Sequence, residues 1–253
     1  MTSIRPTFAA ALMLAVLPLA FGLSACGKKA DTAAVSDTAL PKVAPPAGKQ
    51  WSDVMAVTPD GGYLMGNPDA PLKLIEYGAL SCSHCAAFAA EGFPHLRDDY
   101  VNSGRVSYEL RYFMLNPLDV PAVLLATCGD TPDTVIPMSE QFWAWQPNMF
   151  DNLKAAGKDA MAQVQALPTS QRPAAIARMT GMIDFFAQRG IATAQGATCL
   201  GNVGKATALA NATDKATKDF NVQGTPAFIL NGRNLDISSW DALEPFLQKA
   251  GAR

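Results

Sequence analysis

The sequence is poor in histidine and has no excess of positive charge. Of its 253 residues, only His84 and His95 are histidines, so a histidine-rich metal site is excluded, and we predict neither a metal nor a cofactor. Lysine and arginine number 20 against 22 aspartates and glutamates, which argues against binding to a nucleic-acid backbone. Hydrophobic residues at 49% and charged residues at 17% indicate a globular chain with a sizeable core.

One long run lacks charge altogether, and it lies at the N-terminus. After Arg5, residues 7–25 are apolar and end in small residues, which is typical of a secretory signal peptide over 1–25. The Leu-Ser-Ala before Cys26 resembles the lipobox of bacterial lipoproteins, in which the cysteine is acylated after cleavage. An uncleaved membrane-spanning helix is the alternative, and Pro18 argues against it. We expect a lipid anchor at Cys26 on the periplasmic side of a bacterial membrane, inner or outer.

The segment after this cysteine has the composition of a linker. Residues 26–50 are small, polar and proline-bearing, without apolar periodicity. They predict a lipidated flexible tether, with the folded body starting near Trp51. Outside the cytoplasm disulfides form and persist, so the remaining cysteines are treated as redox-competent. They are Cys82, Cys85, Cys128 and Cys199.

The folded part changes its hydrophobic pattern several times. The patterns predict a strand, a helix, a second strand, a helical block, a hairpin turning at Asn231-Gly232 and a last helix. Their ranges are 72–80, 86–102, 105–113, 117–204, 225–237 and 239–247. This order predicts an α/β, thioredoxin-like fold with an inserted all-helical subdomain. The thioredoxin-like domain would comprise 51–116 and 205–253, and the helical insertion 117–204.

Cys82 and Cys85 form a C-x-x-C pair between the first predicted strand and the following helix. The first turn of a helix has unpaired N–H groups and a partial positive charge, and both stabilise a thiolate on Cys82. His84 lies between the cysteines, and its imidazole is expected to donate a hydrogen bond or a charge to the same sulfur. A stabilised thiolate makes the disulfide more oxidising, so the motif predicts disulfide donation.

Other uses of such a cysteine pair fit the sequence less well. Covalent haem attachment needs a histidine directly after the second cysteine, where this chain has Ala86. Zinc binding needs a second close ligand pair, but Cys128 and Cys199 are 71 residues apart. A purely structural disulfide between residues 82 and 85 would close almost no loop. Redox chemistry is therefore predicted for Cys82 and Cys85.

The chain resembles the DsbA family, the bacterial periplasmic thiol–disulfide oxidoreductases with a thioredoxin fold. The resemblance covers about residues 63–250. It rests on residues 66–71 (GNPDAP), Glu76, Cys82-Ser83-His84-Cys85 and Gly224-Thr225-Pro226. It implies an enzyme that acts on reduced or unfolded secreted proteins. It also implies reoxidation by a quinone-linked membrane partner of the DsbB type.

The same resemblance implies individual roles. Cys82 would be the exposed nucleophile and Cys85 its buried partner. Pro226 matches the family's cis-proline, and Thr225 would offer its backbone to a substrate peptide; a strand-starting proline is the alternative. Glu76 resembles the family's buried carboxylate, whose raised pKa allows it to move the proton of Cys85. A solvated glutamate on an edge strand is the alternative.

Two departures leave the direction of electron flow open. Ser83-His84 stands where the best-known oxidases have Pro-His, which would moderate the oxidising strength. A threonine before the proline, here Thr225, also occurs in isomerase and reductase branches. A disulfide isomerase or reductase of the same fold is therefore an alternative to disulfide donation. A non-enzymatic peptide-binding lipoprotein or holdase is a second alternative, in which Cys82 would be incidental.

Cys128 and Cys199 bracket the predicted helical insertion. We predict that they form a structural disulfide that cross-links this subdomain, because neither lies in a motif that would lower its pKa. A second redox relay is the alternative.

Overall fold

A computed structural model describes residues 38–129 and 131–253. Within this range the chain is built on one mixed β-sheet. Its strands are β1 (Met55–Val57), β2 (Tyr63–Gly66), β3 (Leu72–Gly78), β4 (Val106–Tyr112), β5 (Ala227–Leu230) and β6 (Arg233–Asn234). The spatial order is β1-β2-β4-β3-β5-β6. Strands β3 and β4 are parallel, and the other neighbouring strands are antiparallel.

Helices lie between β3 and β4, occupy most of the chain between β4 and β5, and end the fold. They are α1 (Ser83–Glu91), α2 (Phe93–His95), α3 (Asp119–Ala126), α4 (Val135–Ala155), α5 (Ala160–Ala166), α6 (Arg172–Met179), α7 (Met182–Ala187), α8 (Thr193–Leu200), α9 (Val203–Phe220) and α10 (Trp240–Lys249). A π-helical segment, Leu96–Val101, continues α2. The strand–helix–strand unit β3–α1–β4 and the later β5–β6–α10 confirm the predicted thioredoxin-like fold with a helical insertion.

Strand β3 is central to the sheet, with β4 on one side and β5 on the other. This position explains its apolar sequence, because a central strand packed on both faces has almost no exposed side chains. The hairpin between β5 and β6 turns at Asn231 and Gly232, which both have positive φ, 48° and 81°. Asparagine and glycine are the residues that adopt this conformation most readily.

The segment before Trp51 is attached to the fold, so the predicted flexible tether over 26–50 is wrong for its described part. The Leu40 N–H donates to the Gly251 carbonyl at 2.8 Å, and the Val43 N–H to the Ser103 carbonyl at 3.0 Å. The Trp51 indole donates to the Val43 carbonyl at 2.8 Å. These bonds satisfy backbone groups that a free tether would leave to water.

Gly104 permits this attachment. Its φ is +73°, and a Cβ there would lie 2.6 Å from both the Trp51 Nε1 and the Val43 carbonyl oxygen. Only glycine fits a position that combines this backbone conformation with such a close approach.

The helical insertion has its own packed interior. The ring of Phe142 stacks on Phe186 at 5.4 Å and meets Phe185 edge-on at 5.4 Å. Cys128, just after α3, forms a disulfide with Cys199 in α8. The disulfide therefore joins two helices of the insertion.

Among the described residues, 38–129 and 131–253, no helix is both long and apolar enough to cross a membrane. The predicted signal peptide over 1–25 and the predicted lipid attachment at Cys26 lie outside the described residues.

The Cys128–Cys199 disulfide is expected to stabilise the folded protein. Replacing Cys128 and Cys199 together by serine should lower the free energy of unfolding by about 2–5 kcal/mol, because it releases a long loop in the unfolded chain. Denaturant unfolding measures this change. The matched control is the Cys82→Ser, Cys85→Ser double variant, which removes two thiols without removing a long-range cross-link. Equal stabilities of the two double variants would contradict a structural role for the disulfide.

Candidate functional site

The C-x-x-C pair lies where the central strand passes into the first helix. After β3 ends at Gly78, three residues lead to Cys82, which is the N-cap of α1 with φ −83° and ψ 120°. Both cysteines are free thiols, so the structure represents the reduced state. Cys82 is 7% exposed and Cys85 is fully buried. The predicted nucleophile is therefore the more accessible sulfur, although it is far less exposed than the resemblance implied.

The sulfur of Cys82 accepts several hydrogen bonds. The thiol of Cys85 donates to it, and this bond is the main reason that the pKa of Cys82 falls to about 5. Burial opposes the shift, whereas Thr225 and the backbone N–H groups of Cys85 and His84 support it. The N–H of Cys85 lies 3.3 Å from the sulfur. The donors from Cys85 and His84 belong to the open first turn of α1, which stabilises an anion.

The predicted role of the His84 ring is not supported by the contacts. Both Ser83 and His84 are exposed on the first turn of α1. Among the residues that the structure describes, no hydrogen bond joins the imidazole to Cys82, and His84 lowers the pKa of that thiol through its backbone N–H. The peptide backbone makes this contact, and the His84 side chain is exposed.

Cys85 has the opposite protonation behaviour. Burial is the largest cause that raises the pKa of its thiol, followed by the hydrogen bond that it donates to Cys82 and by the charge of Glu76. At neutral pH the pair therefore consists of a thiolate on Cys82 and a neutral thiol on Cys85. This asymmetry distinguishes an attacking sulfur from a resolving one.

Glu76 is fully buried in the middle of β3. Its Oε2 accepts a hydrogen bond of 2.7 Å from the Tyr108 hydroxyl, and its Oε1 has no partner. Burial is the main reason that the pKa of Glu76 rises to about 8. The structure thus places a carboxyl that is neutral at pH 7 close enough to Cys85 to influence its thiol.

The Thr225–Pro226 peptide bond is cis, and it adjoins the cysteines. In its protonated form the Cys82 thiol donates to the Thr225 carbonyl at 3.2 Å. Pro226 is buried, and Thr225 is half-buried just before β5. The topology therefore brings together Glu76, Cys82, Cys85, Thr225 and Pro226, although 143 residues separate Cys82 from Thr225.

Two residues of the helical insertion support the site and were not predicted from the sequence. The buried side-chain amide of Gln146 on α4 donates to the carbonyls of Leu80 and Cys82 at 2.7 and 3.1 Å. Asp119, at the start of α3, accepts from the Ser81 N–H at 2.8 Å and from the Ser81 hydroxyl at 3.1 Å. Both contacts hold the residues just before the nucleophile.

Asp119 also organises its own turn. Its carboxylate accepts from the backbone N–H groups of Leu115 and Asn116 at 3.0 and 3.1 Å, and it is completely buried. A single acidic residue at the start of an otherwise apolar run was the available sequence signal for Asp119. The corresponding signal for Gln146 was weaker, because glutamine is common on exposed helix faces.

Within the described part of the chain, no group of three or more histidine, cysteine, aspartate or glutamate side chains is arranged to hold a metal ion. The chemistry of the site therefore has to be argued from the two thiols, the Glu76 carboxyl and the Thr225–Pro226 turn.

Comparisons with known proteins agree with this geometry. The family model described as Thioredoxin matches residues 58–249. A solved protein-disulfide isomerase from Novosphingobium aromaticivorans is 32% identical with a TM-score of 0.70, over 75% of this chain and 96% of that chain. A Rickettsia conorii chain named as a protein-disulfide oxidoreductase is 26% identical over 198 residues, 76% of this chain and 61% of the relative. This chain thus spans less than two thirds of that relative.

A third comparison bears on the fold alone. The crystal structure of Wolbachia pipientis alpha-DsbA1 is 16% identical, has a TM-score of 0.58, and matches 77% of this chain and 92% of that chain.

The hydrogen bonds to the Cys82 sulfur predict the pH at which its thiol ionises. In the reduced protein, thiolate absorbance and alkylation rate should both rise with a midpoint near pH 5, because the thiolate forms as the pH passes the lowered pKa. The Cys85→Ala variant should raise this midpoint by at least about one unit, since it removes the principal donor. A midpoint near 8.5, the ordinary value for cysteine, in the unchanged protein would contradict this description of the site.

The Gln146 contacts predict a loss of stability. Replacing Gln146 by leucine leaves the carbonyls of Leu80 and Cys82 without this donor, which should cost about 1–3 kcal/mol in the free energy of unfolding. The control is Gln163→Leu, which makes the same change at an exposed position on α5. The prediction fails if urea unfolding gives the two variants the same stability.

Proposed function

Because the chain belongs to the thioredoxin family, we propose that it is a DsbA-like protein-disulfide oxidoreductase that oxidises substrate proteins by donating a Cys82–Cys85 disulfide. The observation that supports this direction most directly is the lowered pKa of Cys82. Stabilising the thiolate stabilises the reduced enzyme, and a more stable reduced form makes the disulfide a stronger oxidant.

The proposed reaction begins with the enzyme disulfide. A substrate thiolate attacks the sulfur of Cys82, the bond to Cys85 breaks, and Cys85 leaves with the electron pair and takes up a proton. A second substrate thiolate then attacks the substrate sulfur of the mixed disulfide, and Cys82 leaves as a thiolate. Its low pKa makes Cys82 a good leaving group. The products are an oxidised substrate and the dithiol enzyme.

Substrate binding is proposed at the Thr225–Pro226 turn. The Thr225 carbonyl lies 3.2 Å from the Cys82 sulfur, so a peptide that pairs with this backbone would bring its own sulfur to the nucleophile. Backbone pairing is tolerant of sequence, which suits an enzyme for many reduced or unfolded secreted proteins. We also propose reoxidation by a quinone-linked membrane protein of the DsbB type, and a periplasmic position with the lipid anchor at Cys26.

Disulfide isomerase activity is the second candidate, since the Novosphingobium relative is named as an isomerase. An isomerase must remain reduced to attack wrong disulfides, whereas an oxidase must be supplied as the disulfide. Both activities use the sulfur of Cys82, and they differ in whether the Cys82–Cys85 pair is kept as a dithiol or as a disulfide. A peptide-binding lipoprotein or holdase would need neither state.

The reduction potential separates an oxidase or an isomerase from a reductase, and the relative rates on two substrates separate the oxidase from the isomerase. Equilibration with glutathione should give a potential more positive than about −200 mV, in the range of oxidases and isomerases, whereas about −270 mV would indicate a thioredoxin-like reductase. An oxidase should form disulfides in a fully reduced substrate faster than it rearranges a scrambled one. The reverse ratio of rates would favour the isomerase.

The Cys82→Ser variant is the control for a non-enzymatic role. It should abolish disulfide formation in the same assay, because no other described thiol is placed to replace Cys82. Retention of full activity by this variant would refute the proposed reaction.

A further inference from the structure

A second carboxyl near Glu76, that of the half-buried Glu140, has no assigned role in the reaction. Both Glu76 and Glu140 have an Oε1 atom that is buried without a hydrogen-bond partner, as judged over the described residues. A buried polar atom without a partner destabilises the folded protein, and an unpaired buried charge destabilises it more. The presence of two such oxygen atoms, one on each of two interacting carboxyls, therefore requires an explanation.

The fold brings the two carboxyls to the same region. Glu140 lies on α4, one turn before Trp143, whose indole donates to the Ala79 carbonyl at 2.9 Å. A Cβ on Gly78 would lie 3.3 Å from both the Glu76 Oε1 and the Trp143 ring. The lack of a side chain at Gly78 therefore allows α4 to pack directly beside the Glu76 carboxyl.

Among residues 38–129 and 131–253, neither carboxyl forms a salt bridge with a cation. Arg97, on the π-helical segment, is the positive group that acts on Glu140, but its guanidinium binds Asp98 at 2.8 and 2.9 Å.

The other groups that face Glu76 are Tyr108 on β4 and the two thiols at the start of α1. The Tyr108 hydroxyl donates to the Glu76 Oε2 at 2.7 Å. Burial raises the pKa of Glu76 and of Glu140 to about 8, and the charge of Glu140 raises the pKa of Glu76 further. Two carboxyls that interact in this way lose their protons as a pair, so the second proton is held more tightly than the first.

We propose that Glu140 is a positioning residue for the disulfide reaction: with Glu76 it forms a buried carboxyl pair that retains one proton beside Cys85. Glu140 does not touch the sulfurs, and it acts through Glu76. When the pH rises above neutral and Glu140 ionises, its charge makes the loss of the Glu76 proton more difficult, so that proton remains available for Cys85.

The proton is needed at one step, and this part of the inference rests on the proposed function. When the substrate thiolate bonds to Cys82, the Cys82–Cys85 bond breaks and its electron pair remains on Cys85. The Glu76 carboxyl gives its proton to the Cys85 thiolate and becomes a carboxylate. Solvent water then returns one proton to the pair. In the reverse direction, the Glu76 carboxylate accepts the proton of Cys85.

The test begins with a direct titration of the carboxyls. In reduced protein labelled with ¹³C at the glutamate carboxyls, Glu140→Gln should lower the Glu76 midpoint by at least about half a unit, because it removes a neighbouring negative charge. The matched control is Glu91→Gln, the same change at an exposed position of α1, which should leave Glu76 unchanged. An unchanged Glu76 midpoint in the Glu140 variant would overturn the inference.

The second readout is the pH profile for formation of a mixed disulfide with a small peptide thiol. The Glu140→Gln variant should shift this profile to lower pH by the same amount as the Glu76 midpoint. In a Glu76→Gln background the Glu140 substitution should no longer move the profile, because its effect passes through Glu76. A shift that persists in that background, or an unshifted profile in the single variant, would overturn the role of Glu140.

The results of these two measurements do not depend on whether the proposed direction of the reaction is correct. The carboxyl titration requires no turnover, and mixed-disulfide formation is common to oxidases, isomerases and reductases. A wild-type potential as negative as that of thioredoxin would therefore refute disulfide donation while leaving the Glu76–Glu140 pair intact.

Discussion

The site depends on how the Cys82 sulfur is held at the N-terminus of α1. The Cys85 thiol and backbone N–H groups of the first helical turn donate hydrogen bonds to this atom, and together they outweigh the cost of its burial. An anion in this position stabilises the reduced protein relative to the disulfide. The direction proposed for the reaction, the leaving-group quality of Cys82 and the contrast with Cys85 all follow from this one arrangement.

For the groups behind Cys82, burial is the largest influence on the pKa. It raises the pKa of Cys85, Glu76 and Glu140, so these groups are neutral under conditions in which Cys82 is charged. A central strand of the sheet supplies Glu76, and the helical insertion supplies Glu140. The insertion thus contributes more than a covering surface, since it also holds the backbone before Cys82 through Gln146.

Much of the fold was predictable because it is encoded in local patterns. The apolar run of β3, the alternation in β4 and the Asn231-Gly232 turn are short-range signals, and the structure has these elements where they were predicted. Strands β1 and β2 were missed because they are only three and four residues long, too short to show a clear apolar pattern. The packed segment before Trp51 was missed because it is bound through backbone hydrogen bonds, which leave no pattern in side-chain composition.

The sequence by itself determined which atoms are available for chemistry: two cysteines at helix-start spacing, a lone glutamate in an apolar strand and a Thr-Pro pair before another strand. Only the tertiary structure decided which donors reach Cys82, because the His84 backbone rather than its ring points at the sulfur. It also decided that Glu140, Gln146 and Asp119 belong to the surroundings of the site. The physical reason is that desolvation and hydrogen bonding depend on neighbours that are distant in sequence, and no local spacing records them.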